Sequence, residues 1–209
     1  MTKSKIAFSI IAFFSVCLLS LTNGFTQTSP TGKQIEPSYE VILQTLVASN
    51  SANNKSDIPQ MLIGAVKRLK ANYPYSNYRL GETFYQRVAN TGALELRSVS
   101  NEIIPDQERS YSIFSEWTLN NLQNLPDAKG QNSIQFQSFR FGQRIPIITS
   151  SIKDANGKIN SVVNYEQVGL TIQKLSLAEN VPTVIASLST WKPNELMFLV
   201  LTVKSAEQK

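Results

Sequence analysis

Six consecutive apolar residues near the C-terminus, Leu196-Met197-Phe198-Leu199-Val200-Leu201, constrain the fold of this chain more than any other feature. Successive side chains of a strand point to opposite faces, so a strand of this composition is apolar on both. It has to be a central strand with a covering layer on each side. Much of the remaining chain reads as strands able to surround it. Tyr39 to Ala48 is a β-rich run, closed by the turn-forming stretch Ser49 to Ser56. Tyr78 to Val88 alternates, which sets Tyr78, Leu80, Phe84 and Val88 on one face, and Asn90-Thr91-Gly92 turns the chain into Leu94-Glu95-Leu96. In the next run Tyr111, Ile113, Trp117 and Leu119 share a parity that Ser115 interrupts. Pro126 to Gly130 is a turn, and in the strand Ile134 to Phe141 the apolar parity switches between Phe136 and Phe139, which predicts a bulge or bend.

The most hairpin-like segment follows. Ile145 to Lys153 and Lys158 to Tyr165 flank Asp154-Ala155-Asn156-Gly157, and Asn-Gly favours a tight turn because both residues tolerate positive φ. Val168 to Leu175 and Thr183 to Ser189 add further strands. Only one helix is predicted: Asp57 as N-cap, Pro59 in the first turn, then Ile58, Met61, Leu62, Ala65, Val66 and Leu69 along one stripe, ended by Tyr73-Pro74. The fold class is therefore mainly β (α+β). A small β-α-β module over 38–106 precedes an antiparallel, sandwich-like β domain over 107–204, with Ile104 to Glu108 as the expected boundary.

Residues 1–24 read as a signal peptide. Lys3 and Lys5 form a basic start, Ile6 to Leu21 carries no charge, and Thr22-Asn23-Gly24 supplies small residues for cleavage after Gly24. Cys17 follows Val16 inside the apolar run, so it lacks the small preceding residue of a lipid-attachment site. Residues 25–37 are rich in Thr, Ser, Gln, Pro and Gly, a flexible linker. The expected location is the periplasm or outer membrane. Without Lys3 and Lys5 the mature chain holds 18 basic and 15 acidic residues, a mild excess of +3. Lys67, Arg68 and Lys70 cluster only as the solvent side of the helix, and no basic stripe with aromatic platforms argues for nucleic acid.

Cys17 is the sole cysteine and there is no histidine. The mature chain therefore has no disulfide, no structural zinc ligands and none of the commonest general bases. No acidic cluster has the spacing for an oxygen-ligand metal, and no glycine-rich phosphate loop is present, so neither metal nor cofactor is expected. Two Ser-x-x-Lys pairs, Ser150 to Lys153 and Ser189 to Lys192, match a pattern of serine hydrolases. That chemistry wants the serine at a helix start, whereas one pair lies on a hairpin strand and the other enters the turn Trp191-Lys192-Pro193. Asp106 and Glu108 flank the expected boundary beside Arg109 and read as solvated. Tyr73, Tyr75 and Tyr78 crowd the helix exit, either as a ligand platform or as packing, the commoner use. The chain reads as a binding or structural module rather than an enzyme, with a serine hydrolase as the least favoured alternative.

Residues 134–204 resemble the C-terminal core of the secretins, the outer-membrane pore proteins of type II and type III secretion and of type IV pili. Phe141-Gly142-Gln143-Arg144-Ile145-Pro146-Ile147-Ile148-Thr149 is similar to their V-G-Q-x-I/V-P-x-x-T stretch. Val163-Asn164-Tyr165-Glu166-Gln167-Val168-Gly169-Leu170-Thr171-Ile172 is similar to V-x-Y-x-x-V-G-x-x-L, Pro182 to Leu188 to T-V-V-I-G-G-L, and Asn194 to Thr202 to the closing T-E-L-x-I-x-I-T-P strand. Gly142, Gln143, Pro146, Tyr165, Val168 and Gly169 are the motif positions. The order agrees, but Ala186-Ser187 replaces the paired glycines, and only the six residues 189–194 stand where secretins carry a long membrane-facing insert. The resemblance implies an envelope protein of secretion or outer-membrane assembly, a protein partner or self-association, and an outer-membrane ring. A soluble periplasmic relative without the pore is the other expectation. In either case the hairpin serves as gate or partner contact through Ser150, Ser151, Lys153, Asn156, Gly157, Lys158 and Asn160. Its base (Ile145, Ile147, Val163, Tyr165) is expected to pack on the sandwich while the tip from Ser150 to Ser161 stands in water.

Overall fold

The computed structural model describes residues 36–51, 57–105, 110–126, 130, 132–190 and 192–206. The signal segment 1–24, most of the linker 25–37 and the Asp106–Glu108 pair lie outside the described residues. Nine strands and one α-helix are described: β1 (Ser38–Ser49), α1 (Ile63–Asn72), β2 (Asn77–Ala89), β3 (Ala93–Pro105), β4 (Ser110–Asn120), β5 (Gln123–Pro126), β6 (Asn132–Lys153), β7 (Ile159–Ala178), β8 (Thr183–Ser189) and β9 (Glu195–Ser205). They form two antiparallel sheets. One has the order β2-β1-β9-β8; the other runs β3-β4-β6-β5, with β7 on the free side of β6. The fold is mainly antiparallel β in two sheets, as the strand pattern requires.

The run Leu196–Leu201 lies in β9, between β1 and β8. Met197, Leu199 and Leu201 enter the core between the sheets with Trp117, Phe139 and Phe141 of the facing sheet. Phe198 and Val200 point the other way, into a second core closed by Leu62, Val66 and Leu69 of the helical segment. The doubly covered strand thus has a sheet on one side and α1 on the other. A single 3₁₀ turn, Gln60–Leu62, leads into the helix. Asp57 is not its cap: Pro59 precedes the turn and no side chain caps either helical segment. Tyr73 and Tyr78 pack around Phe198, Tyr73 edge-on with ring centroids 4.7 Å apart, so the tyrosine cluster seals the helix end. Burial pushes the Tyr78 phenol above its ordinary pKa, with Tyr75 and Tyr73 adding to it.

Three expectations need correction. Tyr78 and Leu80 do not share a face with Phe84 and Val88: the first pair belongs to the helix side, the second to the sandwich core. The register between β1 and β2 shifts from Gln44↔Thr83 to Leu46↔Leu80, and the extra β2 residue inverts the alternation. Gly81 makes the bulge feasible, because a Cβ there would lie 2.5 Å from the Thr45 hydroxyl oxygen. That oxygen accepts the Glu82 backbone N–H at 2.7 Å.

The second correction concerns the boundary at residues 104–108. Residues 38–106 and 107–204 do not form successive modules, since Glu36 onward is one compact unit. β1, from the start, pairs with β9, from the end, over Tyr39↔Ser205 to Ser49↔Glu195. Pro105 instead pairs with Ser110 at the close of the β3–β4 hairpin.

The third concerns strand length. Ile134–Phe141 and Ile145–Lys153 are one strand, and so are Lys158–Tyr165 and Val168–Leu175 apart from the first residue. The parity switch between Phe136 and Phe139 is present without a register shift: Phe136↔Leu175 and Ser138↔Gln173 keep step. Both strands turn over together at Lys174, whose φ is 54°. Beyond β7, Glu179 accepts the Ser205 backbone N–H at 2.8 Å, and the hydrogen bonds from Ser205 hold its carboxyl below the ordinary range.

Candidate functional site

β4 leaves β6 at Phe114↔Arg144. Past that point β6 and β7 pair only with each other among the described residues, from Ile145↔Glu166 to Lys153↔Ile159. At about 3.3 Å per residue this two-stranded arm is roughly 25–30 Å long. Directly paired residues share a face, and Thr149 is an extra residue in β6, because the register shifts between Ile148 and Ser150. Its hydroxyl bonds the Val162 carbonyl at 3.3 Å and accepts the Asn164 amide at 3.4 Å. The bulge puts Ile148 and Ile152 on opposite faces, so each face of the arm displays isoleucine.

At the tip, Asp154 organises the turn. Its Oδ1 accepts the backbone N–H groups of Asn156 and Lys158 at 2.9 and 2.8 Å, and its carbonyl accepts that of Gly157. Gly157 alone takes positive φ, at 81°, and Asn156 does not. The connection is therefore a four-residue turn with a left-handed glycine at its end, rather than a two-residue Asn-Gly turn.

Ser150, Ser151, Lys153, Asn156, Gly157 and Lys158 are exposed on the arm and Asn160 is half-buried. The exposure of the arm is more apolar than its sequence implied. Ile152 is 61% and Ile159 65% exposed beside the turn, and Ile148 is 52% exposed. At the base Ile147 and Tyr165 are each 38% exposed, while Ile145 and Val163 are half-buried. Tyr165 is anchored by Phe114, 5.6 Å away between ring centroids, and by Arg144 over its face at 5.8 Å.

The six motif positions meet at the root of the arm as three cross-strand pairs: Gly142↔Gly169, Gln143↔Val168 and Pro146↔Tyr165. The glycine pair brings the two backbones close, since a Cβ on Gly169 would fall 2.2 Å from the Phe141 carbonyl oxygen and 2.7 Å from the Gly142 Cα. Gln143 faces inward. Its Nε2 donates to Ser115 Oγ at 3.3 Å, and Ser115 donates to Glu82 Oε2 at 2.8 Å. This chain ties β6 and β4 to β2 of the other sheet.

Glu82 is only 9% exposed and lines a cavity of about 60 Å³ with Thr45, Arg79, Gln143, Glu195 and Met197. The space takes a few water molecules, not an organic substrate. This buried carboxylate went unseen in the sequence. Its one trace was Ser115 interrupting an apolar face, which makes sense once the hydroxyl has a carboxylate to bind.

Of the two Ser-x-x-Lys pairs, Ser150 and Lys153 are both exposed on a strand. Ser189 is exposed at the end of β8, and Thr190 and Lys192 form the tight turn after it, with Thr190 Oγ1 accepting the Lys192 N–H at 3.2 Å. Neither pair has the helical setting that such chemistry needs. Comparison with known proteins adds no relative: no family model matches the chain, and no curated protein matches it.

Proposed function

We propose that this chain is an exported, non-enzymatic, secretin-like envelope protein that engages another secretion or envelope component through its β6–β7 arm. The observation that supports this reading is the exposure of Ile147, Ile148, Ile152, Ile159 and Tyr165 on a ribbon with no other strand against it among the described residues. Exposed apolar surface gathered in one place marks a contact site more often than scattered residues do. Ser150, Ser151, Lys153, Lys158 and Asn160 surround the isoleucines with polar groups, the composition of an interface rim. A photo-reactive residue at Ile152 or Ile159 tests this in cells. One dominant adduct with an envelope protein is expected, and an adduct pattern no different from that of a probe on exposed Lys67 overturns it.

The connection between β8 and β9 favours the pore-less form of this reading. β8 ends at Ser189 and β9 begins at Glu195, too short an interval for membrane-crossing strands of about 10 residues each. Electron microscopy of detergent extracts separates the two forms: rings would require the pore-forming one, and small particles fit a periplasmic adaptor.

A further inference from the structure

The arm is not the only open surface. β7 pairs with β6 along its whole length, and no strand among the described residues pairs with its other side. A long open strand edge is a template for pairing, and proteins usually blunt it with charge, proline, bulges or brevity. The other edges are blunted in these ways: β5 has only 4 residues, and the open side of β6 past Arg144 carries Pro146 and the bulge at Thr149. β2 carries Arg79, Glu82 and Arg87 and its bulge at Gly81. β3 carries Glu95, Arg97 and Pro105 and a register shift between Val99 and Ile103. β8 is 7 residues long with a shift between Val184 and Ala186. β7 has 20 residues, no proline and two charges, Glu166 and Lys174. Between these charges, Gln167-Val168-Gly169-Leu170-Thr171-Ile172-Gln173 is uncharged and free of positive φ, and the left-handed Lys174 ends it.

We infer that this segment is a self-pairing edge, and that two copies of the chain join β7 to β7, antiparallel, about a two-fold axis at Leu170. The charges select this register. It sets Glu166 of each copy opposite Lys174 of the other, Gln167 opposite Gln173, and Val168 opposite Ile172. A neutral seven-residue run is thus bracketed by two opposite-charge pairs. Pairing centred on Glu166 would set carboxylate against carboxylate, and parallel in-register pairing would oppose like charges at both ends, which is unfavourable. Both charged side chains are exposed, and neither makes an ion pair within the chain among the described residues. A two-fold contact of this kind is isologous and closes on itself. It would make one ten-stranded sheet from the two copies of the five-stranded sheet, and it goes beyond the arm's contact with a different protein.

Sedimentation velocity on the full exported chain, with circular dichroism to check folding, tests the inference. A concentration-dependent dimer is expected. Glu166→Lys and Lys174→Glu should each weaken it at least about tenfold, as opposed like charges do, and the double swap should restore it. In a Cys17→Ser background, Gln167→Cys and Gln173→Cys chains should cross-link when mixed, and neither should do so alone. A monomer at every concentration, or a dimer indifferent to the charge swaps, overturns the proposal. Shortening the arm should leave the dimer intact. Loss of the dimer on shortening would assign the contact to the arm and also overturn it.

Discussion

Gly169 and Gly64 show the two opposite outcomes of adding one methyl group. At Gly169 the methyl would be driven into the Phe141 carbonyl and the Gly142 backbone, neither of which belongs to a flexible side chain. The strands must move apart where the arm leaves the sandwich, so Gly169→Ala should destabilise by about 1–3 kcal/mol. At Gly64, exposed in α1, nothing lies within 4 Å of the added Cβ. There alanine only restricts the unfolded chain and favours helix, so Gly64→Ala should stabilise by roughly 0.5–1 kcal/mol. Urea midpoints of the two variants, moving in opposite directions from the parent, check both. Equal shifts would mean that the β6–β7 pair is loose at Gly142. Which glycine tolerates a side chain cannot be read from the sequence, since both sit in runs where alanine would look harmless. The difference lies in how close the neighbouring strand comes.

Elements were legible where their pattern is local. The doubly apolar run of β9, the stripe of α1, the Asn156-Gly157 turn region and the parity switch beside Phe139 all showed in the order of residues. What escaped depended on partners distant in the chain. Tyr78 and Leu80 changed faces because of Thr45, more than thirty residues upstream, which accepts the N–H of Glu82 at the bulge. The boundary near Pro105 looked polar enough for a linker but is the end of a hairpin. Glu82 was buried by Ser115 and Gln143, strands away. The resemblance picked out six positions on the arm's root, and their pairwise register gives those positions a common structural role. The arm itself makes a prediction at this scale. Its tip has almost no buried side chains, and segments of that kind open locally at little cost to the whole. Replacing Lys153–Lys158 by Asn-Gly should therefore leave the melting temperature within about 2 °C of the parent, which at about 2–4 °C per kcal/mol in a domain of this size is about 1 kcal/mol or less. A fall several times larger, by calorimetry, would show that the tip is packed.

On the scale of the molecule, one strand, β9, fills both cores. From Met197 to Val203, β9 buries six apolar side chains, each 4% exposed or less. At about 1.5–3 kcal/mol for each fully buried large side chain, their sum is comparable to the roughly 5–15 kcal/mol net stability of a typical domain. A chain ending at Asn194 should consequently show no cooperative unfolding transition by circular dichroism, whereas one ending at Ala206 should melt like the parent. A sharp transition in the shorter chain would mean that the sandwich stands without its central strand. The pairing of β1 with β9 has a consequence in time as well. Synthesis delivers β1 and then β2, but the β9 neighbour of Val41, Leu43 and Leu46 arrives some 150 residues after them. At about 5–20 residues per second, that wait lasts roughly ten to thirty seconds. Through that interval the chain has no route to its finished first sheet. The first sheet can close only once β9 has emerged, so the strand that fills both cores also sets the moment at which β1 is locked in place.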